Sequence, residues 1–345
     1  MNVITPPHLN GAFIDQFSRV KRKLRISVTD RCNFKCVYCM PEHPEWMKKH
    51  DLLSFEELYQ FCYFMVQRGI ESIRITGGEP LMRQGIVHFI AQLQQLKQYG
   101  LKRISMTTNG HYLEKYALAL KQAGLDDINI SLDSLDAEQF KQLTQKDLAP
   151  VLAGIMAAQA VDLPIKINTV LIKGQNQDQI LPLAHWSIQN GFMLRFIEFM
   201  PLDGDAHWSK DNVITEQEIL DQLKQEFQVS LNVGQFSEPA RQYFINHYPI
   251  GIISTISHSF CGTCDRLRLT AQGEFYNCLF ATQGLPLKQE IKKLKGHQSL
   301  AAISLNEIMT EYIWKKEQGF HAIEQRLKDQ NSSQSRKISM HMLGG

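Results

Sequence analysis

Three cysteines lie close together near the amino terminus, in the segment RCNFKCVYCMP at residues 31–41. Cys32, Cys36 and Cys39 have the spacing C-x3-C-x2-C, and His43 is the nearest further donor. Structural zinc sites are nearly always closed by four ligands. A [4Fe–4S] cube usually takes four thiolates, so three would leave one iron open to another molecule. The spacing therefore favours an iron–sulfur cluster with an open iron, and structural zinc is the alternative.

A second group of three cysteines lies in the last third of the chain. Cys261, Cys264 and Cys278 have the spacing C-x2-C-x13-C. Taken alone this pattern is less specific, because a zinc ribbon that recruits His258 would also fit it. Three thiols again occur without an obvious fourth, which indicates a second open cluster. We expect the two clusters to share one mouth of the folded protein. The remaining cysteine, Cys62, lies in FCYFMV and is expected to be a buried apolar residue.

Composition limits the classes of protein to consider. The 345 residues are 43% hydrophobic and 21% charged, with a formal net charge of +2. This is a globular composition with room for two domains, and it argues against a general nucleic-acid binder. The sequence has no apolar run long enough to span a membrane. The first twenty residues contain no apolar stretch of the signal-peptide kind, so we expect no secretory signal. Clustered thiols are typical of a reducing compartment, so we expect a cytoplasmic protein with no membrane partner.

Short β-branched runs alternate with stretches of helical period. The predicted strands are 24–30, 72–77, 103–109, 127–133, 165–172 and 194–200. The predicted helices are 54–68, 86–98, 112–123, 137–145, 150–160, 178–190 and 215–227. This alternation predicts an α/β fold, an incomplete TIM-like (βα)6 barrel of parallel strands with its active site at their carboxyl ends.

Several motifs follow directly after predicted strands. The first cysteine group follows strand one, TGGEP (76–80) ends strand two and TTNG (107–110) ends strand three. Ser131 ends strand four and Met200 ends strand six. Because the carboxyl ends of parallel strands meet at one rim, these residues are expected to converge there.

The pattern changes after about residue 230. Short strands with glycine punctuation are predicted between 250 and 280, followed by helices near 287–295 and 300–317. We therefore divide the chain into a barrel domain, 1–230, and a C-terminal α+β segment, 231–345, which packs on the barrel and carries the second cluster. No function is assigned to the segment 203–213.

Basic residues occur inside predicted strands. Arg25 and Arg74 lie in β-branched runs, where a charge is costly unless it is paired. Arg266 and Arg268 alternate in DRLRLT, so a strand would direct both to one face. The planar guanidinium group suits phosphate oxygens, and internal salt bridges are the alternative. The run KRK at 21–23, by contrast, is expected to be a solvated surface.

Several motifs resemble those of a known family. LRISVTDRCNFKCVYCMP resembles the signature of radical S-adenosylmethionine (SAM) enzymes, and TGGEP resembles their second, SAM-binding motif. SFCGTCDRLRLTAQGEFYNCLF, RITGGEPLMR, AGLDDINISLDSL and the terminal Gly-Gly are similar to those of the GTP 3′,8-cyclase family (molybdenum cofactor biosynthesis protein A). The resemblance extends from about residue 14 to residue 345.

The resemblance implies roles for particular residues. It implies one [4Fe–4S] cluster held by Cys32, Cys36 and Cys39, with SAM on its open iron. It implies a second [4Fe–4S] cluster held by Cys261, Cys264 and Cys278, with its open iron facing the guanine of GTP. The positions that match SAM contacts are Tyr38, Gly78, Ser131 and Met200. The positions that match GTP contacts are Arg25, Arg74, Thr107, Lys166, Arg266 and Arg268. The terminal Gly344 and Gly345 are expected to reach the active site.

The resemblance also implies an activity. The family cyclises GTP to (8S)-3′,8-cyclo-7,8-dihydroguanosine 5′-triphosphate, the first step of molybdenum cofactor biosynthesis, and a cyclic pyranopterin monophosphate synthase uses the product. A radical derived from SAM removes hydrogen from C3′ of the ribose, and the sugar radical then attacks C8. The electron donor and the choice between monomer and homodimer stay open. The alternatives are a radical SAM enzyme acting on a peptide or RNA, an iron–sulfur electron carrier and a structural zinc protein.

Overall fold

The computed structural model describes residues 11–202, 208–232, 240–294, 299–329 and 339–343. The terminal Gly344 and Gly345, and residues 203–207 of the segment without an assigned function, lie outside these ranges. The role expected for the terminal glycines therefore stays a prediction.

One sheet organises the described residues. Its strands are β1 (Lys23–Ser27), β2 (Ser72–Thr76), β3 (Arg103–Thr108), β4 (Asp127–Ser131), β5 (Ile165–Leu171), β6 (Met193–Glu198), β7 (Val229–Leu231), β8 (Arg241–Ile245), β9 (Tyr248–Ile253), β10 (Arg266–Leu269), β11 (Glu274–Tyr276) and β12 (Leu285–Pro286). Their order across the sheet is β12-β11-β10-β1-β2-β3-β4-β5-β6-β9-β8-β7.

Helices follow the barrel strands along the chain, and further helices lie in its C-terminal part. They are α1 (Phe55–Val66), α2 (Ile86–Gln94), α3 (Leu113–Gln122), α4 (Ala137–Thr144), α5 (Ala149–Ala160), α6 (Ile180–Asn190), α7 (Glu216–Leu223), α8 (Lys288–Lys293), α9 (Ser299–Trp314), α10 (Phe320–Asp329) and α11 (Met340–Leu343). Two of them begin with capping boxes, which Ser54 forms with Glu57 and Thr215 forms with Glu218. Each box satisfies backbone N–H groups that the first helical turn leaves unpaired.

Strands β1 to β6 form the predicted partial barrel. They pair in chain order, and each of the five pairs is parallel. All six predicted strands are present, and the seven predicted barrel helices match α1 to α7. The α/β fold and the incomplete parallel barrel are therefore confirmed.

The C-terminal strands extend the barrel sheet at both of its edges. β10 pairs parallel with β1, and β11 and β12 continue that edge in antiparallel fashion. β9 pairs parallel with β6, and β8 and β7 continue the other edge. The domain boundary near residue 230 stays a prediction, and this residue lies within β7. Helix α10 has no counterpart among the sequence predictions.

Successive side chains of β1 face the hydrophobic core and the barrel interior in turn. Leu24 and Ile26 are fully buried in the hydrophobic core, which continues into α1 through Leu58 and Phe61. Arg25 lies between the two apolar residues and points to the opposite face, because successive side chains of a strand alternate. The strand therefore packs through one face and presents charge to the interior through the other.

Burial confirms one sequence prediction and corrects another. The thiol of Cys62 is fully buried within the core, as its apolar surroundings indicate. The prediction that the run 21–23 is solvated was wrong for Lys21, which is 0% exposed, whereas Arg22 is exposed. Lys21 is buried because Asp15, which lies six positions earlier, accepts a 2.6 Å hydrogen bond from its Nζ.

No helix in the described ranges is long and apolar enough to cross a membrane.

The contact between α3 and α5 depends on the absence of a side chain at Gly154. A Cβ there would collide with the carbonyl oxygen of Gly110 and lie 3.0 Å from Cβ of Leu113. Helix propensity alone favours Ala over Gly by about 1 kcal/mol. We expect Gly154→Ala nevertheless to lower the free energy of unfolding by about 1–3 kcal/mol through overpacking.

Denaturant unfolding of the full chain tests this expectation. Met156→Ala on the same helix is the control, because Met156 is 51% exposed and its truncation should change stability by no more than about 0.5 kcal/mol. Equal or higher stability of Gly154→Ala would contradict the packing argument.

Candidate functional site

A cavity occupies the barrel interior and opens at the carboxyl ends of the strands. The space between its lining residues, with its mouth, is about 1460 Å³. The predicted site residues that line it are Arg25, Cys32, Cys36, Tyr38, Cys39, Arg74, Gly78, Thr107, Ser131, Met200, Arg266 and Arg268.

The first three cysteines lie on the loop that follows β1, and all three line the cavity. The thiols are free, and the loop is held by hydrogen bonds from the backbone N–H groups of Cys39 and Met40 to the carbonyl of Cys36, each 3.0 Å. Burial, and then the carboxylate of Glu79, raise the pKa of Cys32 to about 12. Burial also raises the pKa of Cys36 and Cys39. As free thiols they stay protonated, so a metal that binds here displaces protons.

The glycines of TGGEP bring the end of β2 against the cysteine loop. A Cβ on Gly78 would collide with the carbonyl oxygen of Arg31 and lie 2.5 Å from that of Asp30. Gly77 has a φ of +150°, and a Cβ there would lie 2.5 Å from the carbonyl oxygen of Thr29. The backbone N–H of Gly78 donates to Thr29 at 2.7 Å. The two glycines therefore allow backbone to pack on backbone immediately before Cys32.

Glu79 is fully buried and holds the next loop of the rim. Its carboxylate accepts hydrogen bonds from Thr108 Oγ1 and from the backbone N–H groups of Asn109 and Leu81, at 2.8, 2.8 and 2.9 Å. Burial raises the pKa of Glu79 to about 7 despite these donors. Because both carboxylate oxygens have protein partners, Glu79 caps the turn after β2 and fixes the loop after β3.

Tyr38 and Asp133 connect the cysteine loop to β5. The hydroxyl of Tyr38 donates to Asp133 Oδ2 at 2.6 Å, and the backbone N–H of Val170 donates to Asp133 Oδ1 at 2.9 Å. Asp133 is 2% exposed, and both of its carboxylate oxygens accept hydrogen bonds from the protein.

Arginines lie side by side in the middle of the barrel. In the strand register Arg25 lies opposite Arg268 on one side and Arg74 on the other. Burial, and then the charges of Arg268 and Arg74, hold the pKa of Arg25 well below its usual range. Among the described residues, neither Arg25 nor Arg266 forms an ion pair with a carboxylate. A row of buried like charges of this kind is stabilised by an anion.

The second set of cysteines lies at the amino-terminal end of the barrel strands, not at the mouth with the first. Cys264 precedes β10, whose first residue, Arg266, is in register with Lys23 at the start of β1. The expectation that both sets share one mouth was therefore wrong. Its cause is the parallel direction of β10, which a sequence of short strands does not specify.

Positive charges surround Cys264. Nη2 of Arg266 lies 3.6 Å from Cys264 Sγ, and the Arg266 guanidinium stacks 4.5 Å above the ring of Phe260. Burial by itself raises the pKa of Cys264, but the charges of Arg266 and Lys316 lower it to about 6. This environment favours the thiolate, which is the form that binds metal.

Both sets of cysteines fit iron–sulfur clusters. In the part of the chain that the structure describes, no group of three His, Cys, Asp or Glu side chains could hold a single metal ion. A zinc ion needs its donors within about 2.0–2.3 Å of one point, whereas a cube spreads its thiolates over separate irons. The six free thiols, in two sets of three, match in number and type the three protein ligands that each open cube would take.

One predicted site residue does not line the cavity, and two residues that were not predicted do line it. Lys166 does not line it and lies near Asp127, whose pKa its charge helps to lower. Asn168 and Arg195 do line it. Oδ1 of Asn168 is buried and accepts no hydrogen bond from the described residues, as expected of a ligand-facing atom. Arg195 was missed although LRFIEF places it inside an apolar strand, the same signal that singles out Arg25.

Two further contacts join the C-terminal part of the chain to the cavity. Glu198, at the end of β6, lines the cavity and accepts hydrogen bonds from the backbone N–H groups of Ile256 and Ser257 at 2.8 and 2.9 Å. The carbonyl of Leu343 in α11 accepts from Arg268 Nη1 at 3.4 Å. The described end of the tail therefore lies at the cavity.

We expect Gly78→Ala to displace the loop before Cys32 and to prevent the first cluster from forming. Iron should fall from about eight to about four per chain, because one of two cubes is lost. Iron and sulfide analysis of anaerobically reconstituted protein measures this. Gly11→Ala is the matched control, because its Cβ would meet nothing within 4 Å and it lies outside both cysteine sets. Full iron content in Gly78→Ala would show that the close backbone approach is not required.

Two family sequence models match the chain. That of the Radical SAM superfamily matches residues 26–187, and that described as Molybdenum Cofactor Synthesis C matches residues 192–322. The first contains the first cysteine set and the second contains the other set.

Relatives match over most of their length. The GTP 3′,8-cyclase of Corynebacterium glutamicum is 40% identical over 335 residues, which are 93% of this chain and 87% of the relative. That of Streptomyces coelicolor is 40% identical over 84% of this chain and 87% of the relative. The structure of Streptococcus suis SuiB bound to S-adenosylmethionine has a TM-score of 0.60 at 15% identity, covering 82% of this chain and 65% of SuiB, and shows the shared fold. The chain belongs to the GTP 3′,8-cyclase family of radical S-adenosylmethionine enzymes.

Proposed function

We propose that the protein is a radical SAM enzyme that cyclises GTP to (8S)-3′,8-cyclo-7,8-dihydroguanosine 5′-triphosphate, the first step of molybdenum cofactor biosynthesis. One observation carries the proposal: the cavity that three free thiols line is also lined by five arginines, Arg25, Arg74, Arg195, Arg266 and Arg268. A thiol set suits a cluster that activates SAM, and converging guanidinium groups suit a triphosphate. Family membership favours GTP over a peptide or RNA as the substrate.

The two cysteine sets are assigned to two [4Fe–4S] clusters. Cys32, Cys36 and Cys39 hold the first, and Cys261, Cys264 and Cys278 hold the second. When bound, the clusters and SAM supply one-electron and radical chemistry. The protein holds the reacting molecules between the two ends of the barrel and excludes water from them.

SAM lies at the mouth and GTP lies deeper. The residues assigned to SAM are Tyr38, Gly78, Ser131 and Met200, which all line the cavity. Those assigned to GTP are Arg25, Arg74, Thr107, Arg266 and Arg268, which also line it. Lys166 remains a prediction as a GTP contact, because it lies outside the lining. Asn168 and Arg195 are added as polar groups that orient the nucleotide.

The proposed product contains the same atoms as GTP, because no group leaves the nucleotide. Hydrogen is removed from C3′, the C3′–C8 bond forms, and one electron and one proton complete the product, which is an isomer of GTP. The chain's contribution is orientation, because C3′ must face the SAM end while the triphosphate is held by arginines. Strands β1 and β2, which carry Arg25 and Arg74, supply a rigid support for it.

The cellular setting follows from the same assignments. Free, clustered thiols favour a reducing compartment, so we place the enzyme in the cytoplasm. Its product passes to a cyclic pyranopterin monophosphate synthase. The enzyme works as a monomer or a homodimer, and the electron donor is not specified.

Isotope transfer tests the reaction. Reconstituted protein is incubated without oxygen with dithionite, SAM and GTP deuterated at C3′. We expect one deuterium in 5′-deoxyadenosine. We also expect a new nucleotide that has lost the deuterium and therefore has the mass of unlabelled GTP. Both are measured by liquid chromatography and mass spectrometry. Deuterium-free 5′-deoxyadenosine with unchanged GTP would remove GTP as the substrate.

Charge reversal at Arg266 separates the two ligands. Hydrogen bonds to charged groups contribute about 1.5–3 kcal/mol, so Arg266→Glu should raise the Kd of GTP by about 10–100-fold. The Kd of SAM should change by less than about threefold, since SAM binds at the other end of the cavity. Arg22→Glu is the matched control, because Arg22 is exposed. Equal losses for both ligands, measured by equilibrium dialysis, would indicate misfolding and contradict the assignment.

A further inference from the structure

Four charged side chains lie buried beside the second set of cysteines: Asp15, Arg19, Lys21 and Lys316. None is more than 6% exposed. We call these four residues the buried clamp. Asp15, Arg19 and Lys21 come from the segment before β1, and Lys316 follows α9. Residues from the two ends of the described chain thus meet at the amino-terminal end of the barrel.

Arg19 binds the backbone of the first cysteine in the set. Its Nη1 donates to the carbonyl oxygens of Cys261 and Gln318, both at 2.7 Å. Its Nε donates to Asp15 Oδ2 at 2.6 Å. The guanidinium group is therefore held by a carboxylate on one side and binds the cysteine loop with the other.

Lys21 binds the backbone of the second cysteine. Its Nζ donates to the carbonyl oxygen of Cys264 at 2.9 Å and to Asp15 Oδ2 at 2.6 Å. The same carboxylate oxygen therefore fixes Arg19 and Lys21. The backbone N–H groups of Arg22 and Lys23 then donate to the carbonyl of Asp265, at 3.0 and 3.1 Å.

Lys316 binds the chain beside the third cysteine. Its Nζ donates to the carbonyl oxygen of Asn277, the residue before Cys278. The carbonyl of Lys316 accepts a 3.0 Å hydrogen bond from Gln16 Nε2, which joins it to the amino-terminal segment. Each of the three cysteines thus has a carbonyl, its own or its neighbour's, bound by a buried cation.

The charges of the clamp do not balance within it. Three cations surround one carboxylate, and burial makes an uncompensated charge costly. Three thiolates on a cluster would supply the missing negative charge. Reduction by one electron makes a cluster more negative, and nearby positive charge and hydrogen bonding are among the factors that set its potential.

We propose that Arg19, Lys21 and Lys316 are positioning residues that hold the three cysteines of the second set in place and favour the reduced, more negative state of their cluster. This inference rests on the proposed assignment of that cluster to Cys261, Cys264 and Cys278. The hydrogen bonds to the backbone carbonyls restrict the positions of the three cysteines. They also place three positive charges beside the proposed cluster.

The test isolates the second cluster. In the full chain, Cys32, Cys36 and Cys39 are replaced by Ala, so that only the second set can bind iron. Lys21→Met, Lys316→Met and Lys21→Arg are made in this background. Lys102→Met is the control, since it removes an exposed lysine at the start of β3. Iron content and the midpoint potential in a dithionite titration followed by electron paramagnetic resonance are the readouts. In this titration, reduction of each cluster consumes one electron from the reduced mediator.

We expect each Met variant to lower the fraction of reduced cluster at a fixed potential about tenfold, which corresponds to about 59 mV for a one-electron couple. Lys21→Arg should keep the potential of the background, and so should Lys102→Met. Loss of the cluster in Lys21→Met with rescue by Lys21→Arg would also support the proposal. A potential equal to that of Lys102→Met in both Met variants would overturn it, as would loss of the cluster in Lys21→Arg.

Failure of the cluster assignment gives a different result. If the Cys32/Cys36/Cys39→Ala background binds no iron while the Cys261/Cys264/Cys278→Ala protein keeps all of it, the second set holds no cluster. That outcome would overturn both the assignment and the inference. Iron in the background with unchanged potentials would overturn the inference alone.

Discussion

The parallel pairing of β1 with β10 is the contact on which the site depends. β1 leads into the loop of Cys32, and β10 begins directly after Cys264. Because the two strands run in the same direction, the two cysteine sets lie at opposite ends of β1. Its five residues at about 3.3 Å each span roughly 16 Å. That length separates the two metal-binding ends and leaves the barrel interior between them for the organic substrates.

Charge in the interior has one dominant sign. The formal net charge of the chain is only +2, yet Arg25, Arg74 and Arg268 form a row across three strands, and Lys21 is buried below them. Such an arrangement is unfavourable in an empty protein, since burial and mutual repulsion both disfavour the charged forms. Thiolate-bound metal at one end and a triphosphate in the middle would each relieve it. Stability and ligand binding are therefore coupled through the same residues.

Much of the fold and of the first site could be predicted from local pattern. The six barrel strands alternate with helices that carry their own caps, and the chemistry-bearing motifs at the mouth come directly after strands. Residues such as Cys32, Gly78 and Met200 therefore reach the cavity because strand ends meet there. Arg195 could have been found by the same reasoning that singled out Arg25, since both interrupt apolar strands.

What could not be predicted depends on contacts between distant parts of the chain. The burial of Lys21 needs Asp15 in a particular turn and the carbonyl of Cys264 from another strand. In sequence the run KRK is indistinguishable from a hydrated surface. The direction of β10 is likewise set by pairing with β1 and not by its own four residues, so the second set was expected at the wrong end. Lys166 lies two residues before Asn168 in β5, yet only Asn168 is among the residues that line the cavity.

The attachment of late strands to both edges of the barrel affects how the chain is made. β1 and β6 leave the ribosome with one backbone edge each unpaired, and their partners β10 and β9 are synthesised afterwards. Open edges in a partly made sheet are sites where two nascent chains can pair wrongly. Truncation in the last third of the chain would therefore lead to aggregation of an unfinished barrel before any loss of chemistry could be observed.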